Sequence, residues 1–159
     1  MSWIEHYPPK AKIAIRAPID LVWKVLLDGA AYPVWGKFIS SVDGQLGDIG
    51  ARVQLQTQLG RFNVAPFMRV SCVDAPFGEP SGERIARWEH NHDGKFARLG
   101  LIKSHRRHEL YQDAGADQTI YKTYETFSGL LWPVMPYRLI DRGFKQQAED
   151  LCRYCEAIS

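Results

Sequence analysis

The sequence predicts an α+β fold in which a sheet of short strands is covered by one long C-terminal helix. Three observations carry this. Between Ile13 and Ile39 a short alternating segment runs into Ala17-Pro18 and then into two short helical segments with apolar faces. From Ser40 to Phe127 the chain breaks into short stretches of alternating apolar and polar residues, separated by clusters of Gly, Asp and Pro. From Tyr137 onward, Leu139, Ile140, Phe144, Ala148, Leu151, Cys152, Cys155 and Ile158 keep helical spacing, while Asp141, Lys145, Glu149 and Arg153 supply a charged opposite face. Strands followed by a long amphipathic helix make an α+β arrangement.

The elements follow in order. Residues 1–10 read as a loose arm, because Pro8-Pro9 blocks regular structure; residues 11–159 form one domain. Ile13 and Ile15 alternate with Ala14 and Arg16, as in a half-buried strand. Pro18 suits the first turn of a helix, where its missing N–H would be unpaired anyway; Val22, Trp23, Leu26 and Leu27 give that helix its apolar face, and Gly29 ends it. Tyr32, Trp35 and Phe38 mark a second short helix. Strands are expected over 42–46, around Val53 to Thr57, over 67–73, over 84–90, within 97–112 and over 119–127, with 74–82 as a loop. Pro133 and Pro136 bracket the start of the long helix.

Composition narrows the function classes. A chain of 159 residues that is 45% hydrophobic can bury a real core. A net charge of +2 argues against nucleic acid as a partner, and the basic run Lys103 to His108 reads as an alternating strand with one wet face. The N-terminus lacks the pattern of a signal peptide, and no run reaches the roughly 20 apolar residues of a membrane helix, so the expectation is a cytoplasmic protein with no integral membrane segment. Cys152 and Cys155 form a C-x-x-C inside a helical pattern, which reads as helix packing, since redox pairs sit at helix starts. No metal-ligand spacing, phosphate loop, dinucleotide fingerprint or G-x-S-x-G is present, so neither a metal nor another cofactor is expected.

Ala17-Pro18 with Val22-Trp23, the Y-P-x-W of Tyr32 to Trp35, and the E-x-F-S-G-L-L of Glu125 to Leu131 carry a resemblance over nearly the whole chain. The sequence resembles the START/birch-allergen-like superfamily (SRPBCC), in its polyketide cyclase/dehydratase-like branch. Ser104 to Leu110 departs from the G-E-H-x-F-x-L of that branch at its first four marked positions. The resemblance implies a helix-grip fold: a curved antiparallel sheet of about seven strands wraps the C-terminal helix and encloses an apolar cavity. Strand parity then selects the inward residues. With Trp88 and Phe127 as inward markers, Met68, Trp88, His90, Tyr121 and Phe127 face the cavity, along with Val53, Leu55, Val70 and Ala86, of which Val53, Val70 and Ala86 read as plain core. Met135, Ile140 and Phe144 come from the helix side, Trp35 and Phe38 stand near the mouth, and Trp132 adds an aromatic contact.

Glu125 shares the parity of Phe127, and an inward carboxylate must pair with a cation or hold its proton. Arg106 and His108 share the parity of Leu110, so a Glu125–Arg106 or Glu125–His108 pair is expected at the polar end of the cavity. His105 and Arg107 fall on the wet face, and His92 falls in a turn. Two functions fit. The first is binding of a hydrophobic or aromatic small molecule, lipid or polyketide-like. The second is a polyketide cyclase/dehydratase-type enzyme in which Glu125 or His108 moves a proton and Arg106 stabilises an enolate. A contact through the aromatic segment Trp132 to Tyr137, including a homodimer, is a third reading.

Overall fold

The computed structural model describes residues 9–79 and 81–159. Most of the expected N-terminal arm lies outside the described residues; its last residue, Lys10, already belongs to the first strand. β1 (Lys10–Ile15) leads through Pro18 into α1 (Ile19–Leu27), which buries Ile19, Val22, Val25 and Leu26. A 3-10 turn at Gly29–Ala31 and the four-residue α2 (Tyr32–Trp35) follow. The strands are β2 (Ile39–Asp43), β3 (Arg52–Leu59), β4 (Phe62–Val64), β5 (Phe67–Phe77), β6 (Arg84–His92), β7 (Lys103–Gln112) and β8 (Thr119–Ser128). A helical turn, α3 (Lys95–Arg98), separates β6 from β7, and α4 (Tyr137–Ile158) closes the chain.

The sheet is antiparallel throughout, in the order β1-β8-β7-β6-β5-β3-β2, with β4 paired to β3. It curls around α4, whose Ile140, Gly143, Phe144, Gln147, Ala148, Leu151 and Cys155 are buried against it. Gly143 has a packing reason: a Cβ there would run into the ring of Phe38, which lies across the helix and meets Phe144 edge-on at 5.8 Å. Asp150 is also buried on α4. It accepts from the Lys37 backbone N–H (3.3 Å), Gln146 (2.9 Å) and Arg153 (2.6 Å), which ties the end of α2 to the helix.

Four local expectations change. β2 stops at Asp43, because Gly44 takes a positive φ of 114° and turns the chain; Leu46 is buried in the turn rather than in a strand. β5 runs on to Phe77 where a loop was expected, its register shifting after Val70 and again after Asp74, and such irregularities let Pro76 sit in a strand. The first shift places Val73, rather than Cys72, opposite inward Trp88. Residues 95–98 form a helical turn, so the strand expected within 97–112 begins only at Lys103, and the Leu101 and Ile102 N–H groups both donate to the Phe96 carbonyl and close the turn.

Candidate functional site

Three rungs across β6, β7 and β8 build the concave face. His90, Arg106 and Glu125 form one; Trp88, His108 and Thr123 the next; Ala86, Leu110 and Tyr121 the third. All nine residues are buried. The last two rungs are closed packing. His108 Nδ1 meets the Tyr121 hydroxyl at 2.7 Å, and its Nε2 lies 3.3 Å from His90 Nε2. The Trp88 ring rests 4.6 Å from the His108 ring and 4.8 Å from that of His90, and its indole N–H donates to the Leu46 carbonyl (2.9 Å). Burial, followed by the nearby Arg106 charge, holds both imidazoles well below the ordinary histidine value, so the pair is neutral.

The expected ion pair between Glu125 and Arg106 or His108 does not form. Arg106 faces Glu125 in register, but its guanidinium turns toward α4. It donates to Gln147 Oε1 (2.7 Å) and Thr123 Oγ1 (3.1 Å) and stacks 3.8 Å above the Phe144 ring. His108 is committed to Tyr121 and His90. Burial therefore pushes the Glu125 carboxyl above the ordinary range, and the Arg106 charge and a hydrogen bond with Ser104 only partly oppose it.

Beyond Glu125 the fold opens. A half-open cavity of about 1170 Å³ lies where the ends of β6 and β8 meet the start of β7, α3 and the start of α4. Glu125 and Ser104 stand on its wall with the aromatic groups Phe127, Trp132 and Tyr137. Tyr137 holds the aromatic cluster together: its ring meets Phe127 at 5.6 Å and Trp132 at 6.3 Å, and its hydroxyl donates to the Trp132 carbonyl (2.7 Å). Asn91, His92, Arg98 and Lys103 line the polar side.

Of the residues singled out from the sequence, the structure brings Glu125, Phe127 and Trp132 together on this wall. It places Met68, Trp88, His90, Tyr121, Arg106, His108, Ile140, Phe144 and Phe38 in the closed core. Met135 is half-buried beside that core, and Trp35 borders a separate shallow depression with Asp150 and Arg153. Tyr137, Ser104 and His92 were not assigned to the site. Ser104 and His92 have the inward parity of Arg106 and His90, so the alternation reached them; the turn expected at His92 hid it, since β6 extends through that residue.

Among the described residues no group of His, Cys, Asp or Glu side chains could hold a metal ion, and no helix is long and apolar enough to cross a membrane. Burial pushes the Cys155 thiol up to about 12, so the C-x-x-C of α4 holds no thiolate at neutral pH.

An antiparallel sheet curled about a long C-terminal helix, with short helices after the first strand, is a helix-grip fold. No protein-family model matches the sequence, and no curated protein matches it. Solved structures do. Norcoclaurine synthase from Thalictrum flavum, in complex with dopamine and hydroxybenzaldehyde, superposes with a TM-score of 0.60 at 12% identity, over 96% of this chain and 88% of that one. Ara h 8.0201 gives 0.62 at 13% identity, over 96% of both chains. A START superfamily protein from Mycobacterium smegmatis gives 0.62 at 12%, over 96% of this chain and 97% of that one. At these identities the likeness is one of fold.

Proposed function

We propose that the protein binds a hydrophobic or aromatic small molecule, lipid or polyketide-like, in the cavity beside Glu125. The observation that carries this is a buried carboxyl at the wall of a large aromatic-lined cavity. Its volume of about 1170 Å³ stands at or above the top of the usual range for small-molecule sites, about 300–1,000 Å³. Phe127, Trp132 and Tyr137 supply apolar area, and the Glu125 carboxyl, whose protonated form burial favours, donates one hydrogen bond to a carbonyl or ether oxygen of the ligand when it holds its proton. The norcoclaurine synthase neighbour holds two aromatic molecules in the same fold, which supports an aromatic occupant here.

Native mass spectrometry and titration with anilinonaphthalene sulfonate, an apolar fluorescent probe, test the reading. Saturable one-to-one binding is expected, weakened roughly tenfold by Phe127→Ala or Trp132→Ala, as loss of a buried aromatic surface predicts. No stoichiometric binding, or binding indifferent to both changes, overturns it.

A second reading, acid–base chemistry on a polyketide-like chain, is favoured by the same carboxyl. A carboxyl whose pKa is raised by burial is better suited than an exposed one to giving and taking a proton. Glu125 then acts without His108 and Arg106, which are held in the core. Glu125→Gln separates the readings: a carrier keeps its affinity for an apolar ligand, whereas an enzyme keeps affinity and loses turnover.

A further inference from the structure

The end of the fold that carries the cavity mouth has an unusual surface. Among the described residues, six of the ten exposed large hydrophobics, Phe62, Val64, Phe96, Leu99, Leu130 and Val134, lie on the segments that build this end. The segments are physically joined. The Leu130 and Leu131 N–H groups donate to the Gly100 and Leu101 carbonyls, and the β3–β4 turn at Gly60 lies against Leu139 at the start of α4.

Cations dominate the exposed charge at this end: of the carboxylates on the cavity lining, Asp93 is paired with Arg52 and Arg69, and Glu125 is buried. Residues 55–66, 94–105 and 126–140 contain no Asp or Glu, and they contribute Arg61, Lys95, Arg98, Lys103 and Arg138, all exposed. The carboxylates of the opposite end, Glu83, Asp113 and Asp117, sit where β6 starts and in the β7–β8 turn. A near-neutral chain therefore concentrates exposed cations and apolar groups at the cavity end.

We propose that the cavity end docks on the surface of an anionic lipid bilayer, with Leu99, Leu130 and Val134 entering the interfacial layer and the five cations meeting lipid headgroups. Exposed aliphatic and aromatic groups set among cations, with the neighbouring Asp93 already paired to arginines, match the two attractions that hold a protein at such a surface. A second copy of the chain fits less well, because a two-fold contact would set these cations against themselves. The docked orientation opens the cavity toward the acyl chains. Docking itself does not depend on the ligand reading, because it is measured without any cavity ligand.

Co-sedimentation of the full chain with vesicles tests it, comparing phosphatidylcholine alone with phosphatidylcholine mixed with phosphatidylserine. Binding is expected only to the anionic vesicles, and added salt should weaken it. Leu99→Asp with Val134→Asp alters two side chains that are 71% and 76% exposed and do not line the cavity, so the fold and the cavity stay intact. That pair, and separately Arg61→Glu with Lys95→Glu, should each lower partitioning by about tenfold or more, since each basic residue near such a surface contributes roughly fivefold. Phe77→Asp, at the far end of β5, should bind as the parent does. Equal, weak retention on both vesicles overturns the proposal, as does full binding by the Leu99/Val134 pair. Concentration-dependent self-association that the pair abolishes, without vesicle binding, also overturns it and assigns the face to a protein contact.

Discussion

Arg106 and Glu125 are direct cross-strand neighbours on β7 and β8, yet the guanidinium of Arg106 turns away from the carboxyl to Gln147 and the Phe144 ring on α4. The cation thus clamps the sheet to the helix, and the carboxyl is left at the cavity wall, where burial raises its pKa above the ordinary range. One polar rung of the sheet serves two purposes: its middle member closes the core, and its last member opens onto the site.

Arg106 uses its shape as much as its charge. Its planar fork reaches Thr123 and Gln147 at once while lying flat on an aromatic ring, a combination an ammonium group cannot reproduce. Its hydrogen-bond partners there are neutral, so much of its charge is buried without compensation. Arg106→Lys should therefore lower stability by about 1–3 kcal/mol, whereas Arg106→Met, apolar and of similar length, should lower it less. Denaturant midpoints of the two variants decide this, and a lysine variant more stable than the methionine variant would refute it. In the methionine variant the Glu125 carboxyl should titrate higher still, because the Arg106 charge opposes its rise.

Glu125→Gln should change how stability responds to pH. The folded carboxyl holds its proton above the ordinary value of 4.5, so the stability linked to that proton is full below 4.5 and is lost as pH rises through the folded value. Gln carries no such penalty. Above the folded value the variant should be more stable than the parent, by ~1.4 kcal/mol for each pKa unit of the rise, and its profile should lack this alkaline decline. Chemical denaturation across the acid-to-neutral range reads the difference; parallel profiles for the two proteins would mean that Glu125 is not held protonated.

The alternation of apolar residues was enough to place the strands, the long helix and the inward parity of Glu125, Arg106 and His108, because period-two patterning is a local property. The direction of the Arg106 side chain was not legible. It depends on Gln147, 41 positions away on another element. The β5 shift that exchanges Val73 for Cys72 leaves no mark in the apolar pattern, since both are small and apolar. The cavity itself was misplaced for a related reason. Parity names the concave face but cannot show that Trp88, His108, Tyr121 and Phe144 fill its middle and that the cavity opens where the loops after β6 and β8 hold the walls apart.

His90 and His108 make the fold sensitive to mild acid. Both are buried and held well below 6.5, chiefly by desolvation and then by Arg106. The unfolded chain takes up protons near 6.5 where the native one does not, so stability is full above that value and is lost as pH falls below it. The slope approaches ~1.4 kcal/mol per pH unit for each proton taken up on unfolding. Unfolding free energies measured from about pH 7.5 to about pH 5 should show this loss, and His90→Gln should remove one proton from the slope. Flat stability over that interval in the Glu125→Gln background, which removes the opposing carboxyl, would mean that the imidazoles are already protonated or are solvated in the fold.

Gly143 offers a test of how tightly α2 and its following residues are locked to α4. In an exposed helix, Gly→Ala gains about 1 kcal/mol from helix propensity. At Gly143 the added methyl would enter the ring of Phe38, which is buried and also packed edge-on against Phe144. Overpacking of this kind costs about 1–3 kcal/mol, so Gly143→Ala should be destabilising in spite of its propensity gain. Shortening the neighbour should reverse the sign: Phe38→Leu costs stability alone, but the double variant should be more stable than the sum of the two single changes predicts. A double-mutant cycle from thermal or denaturant unfolding measures that coupling. If Gly143→Ala alone raises stability, the Phe38 ring does not lie against the helix backbone as described.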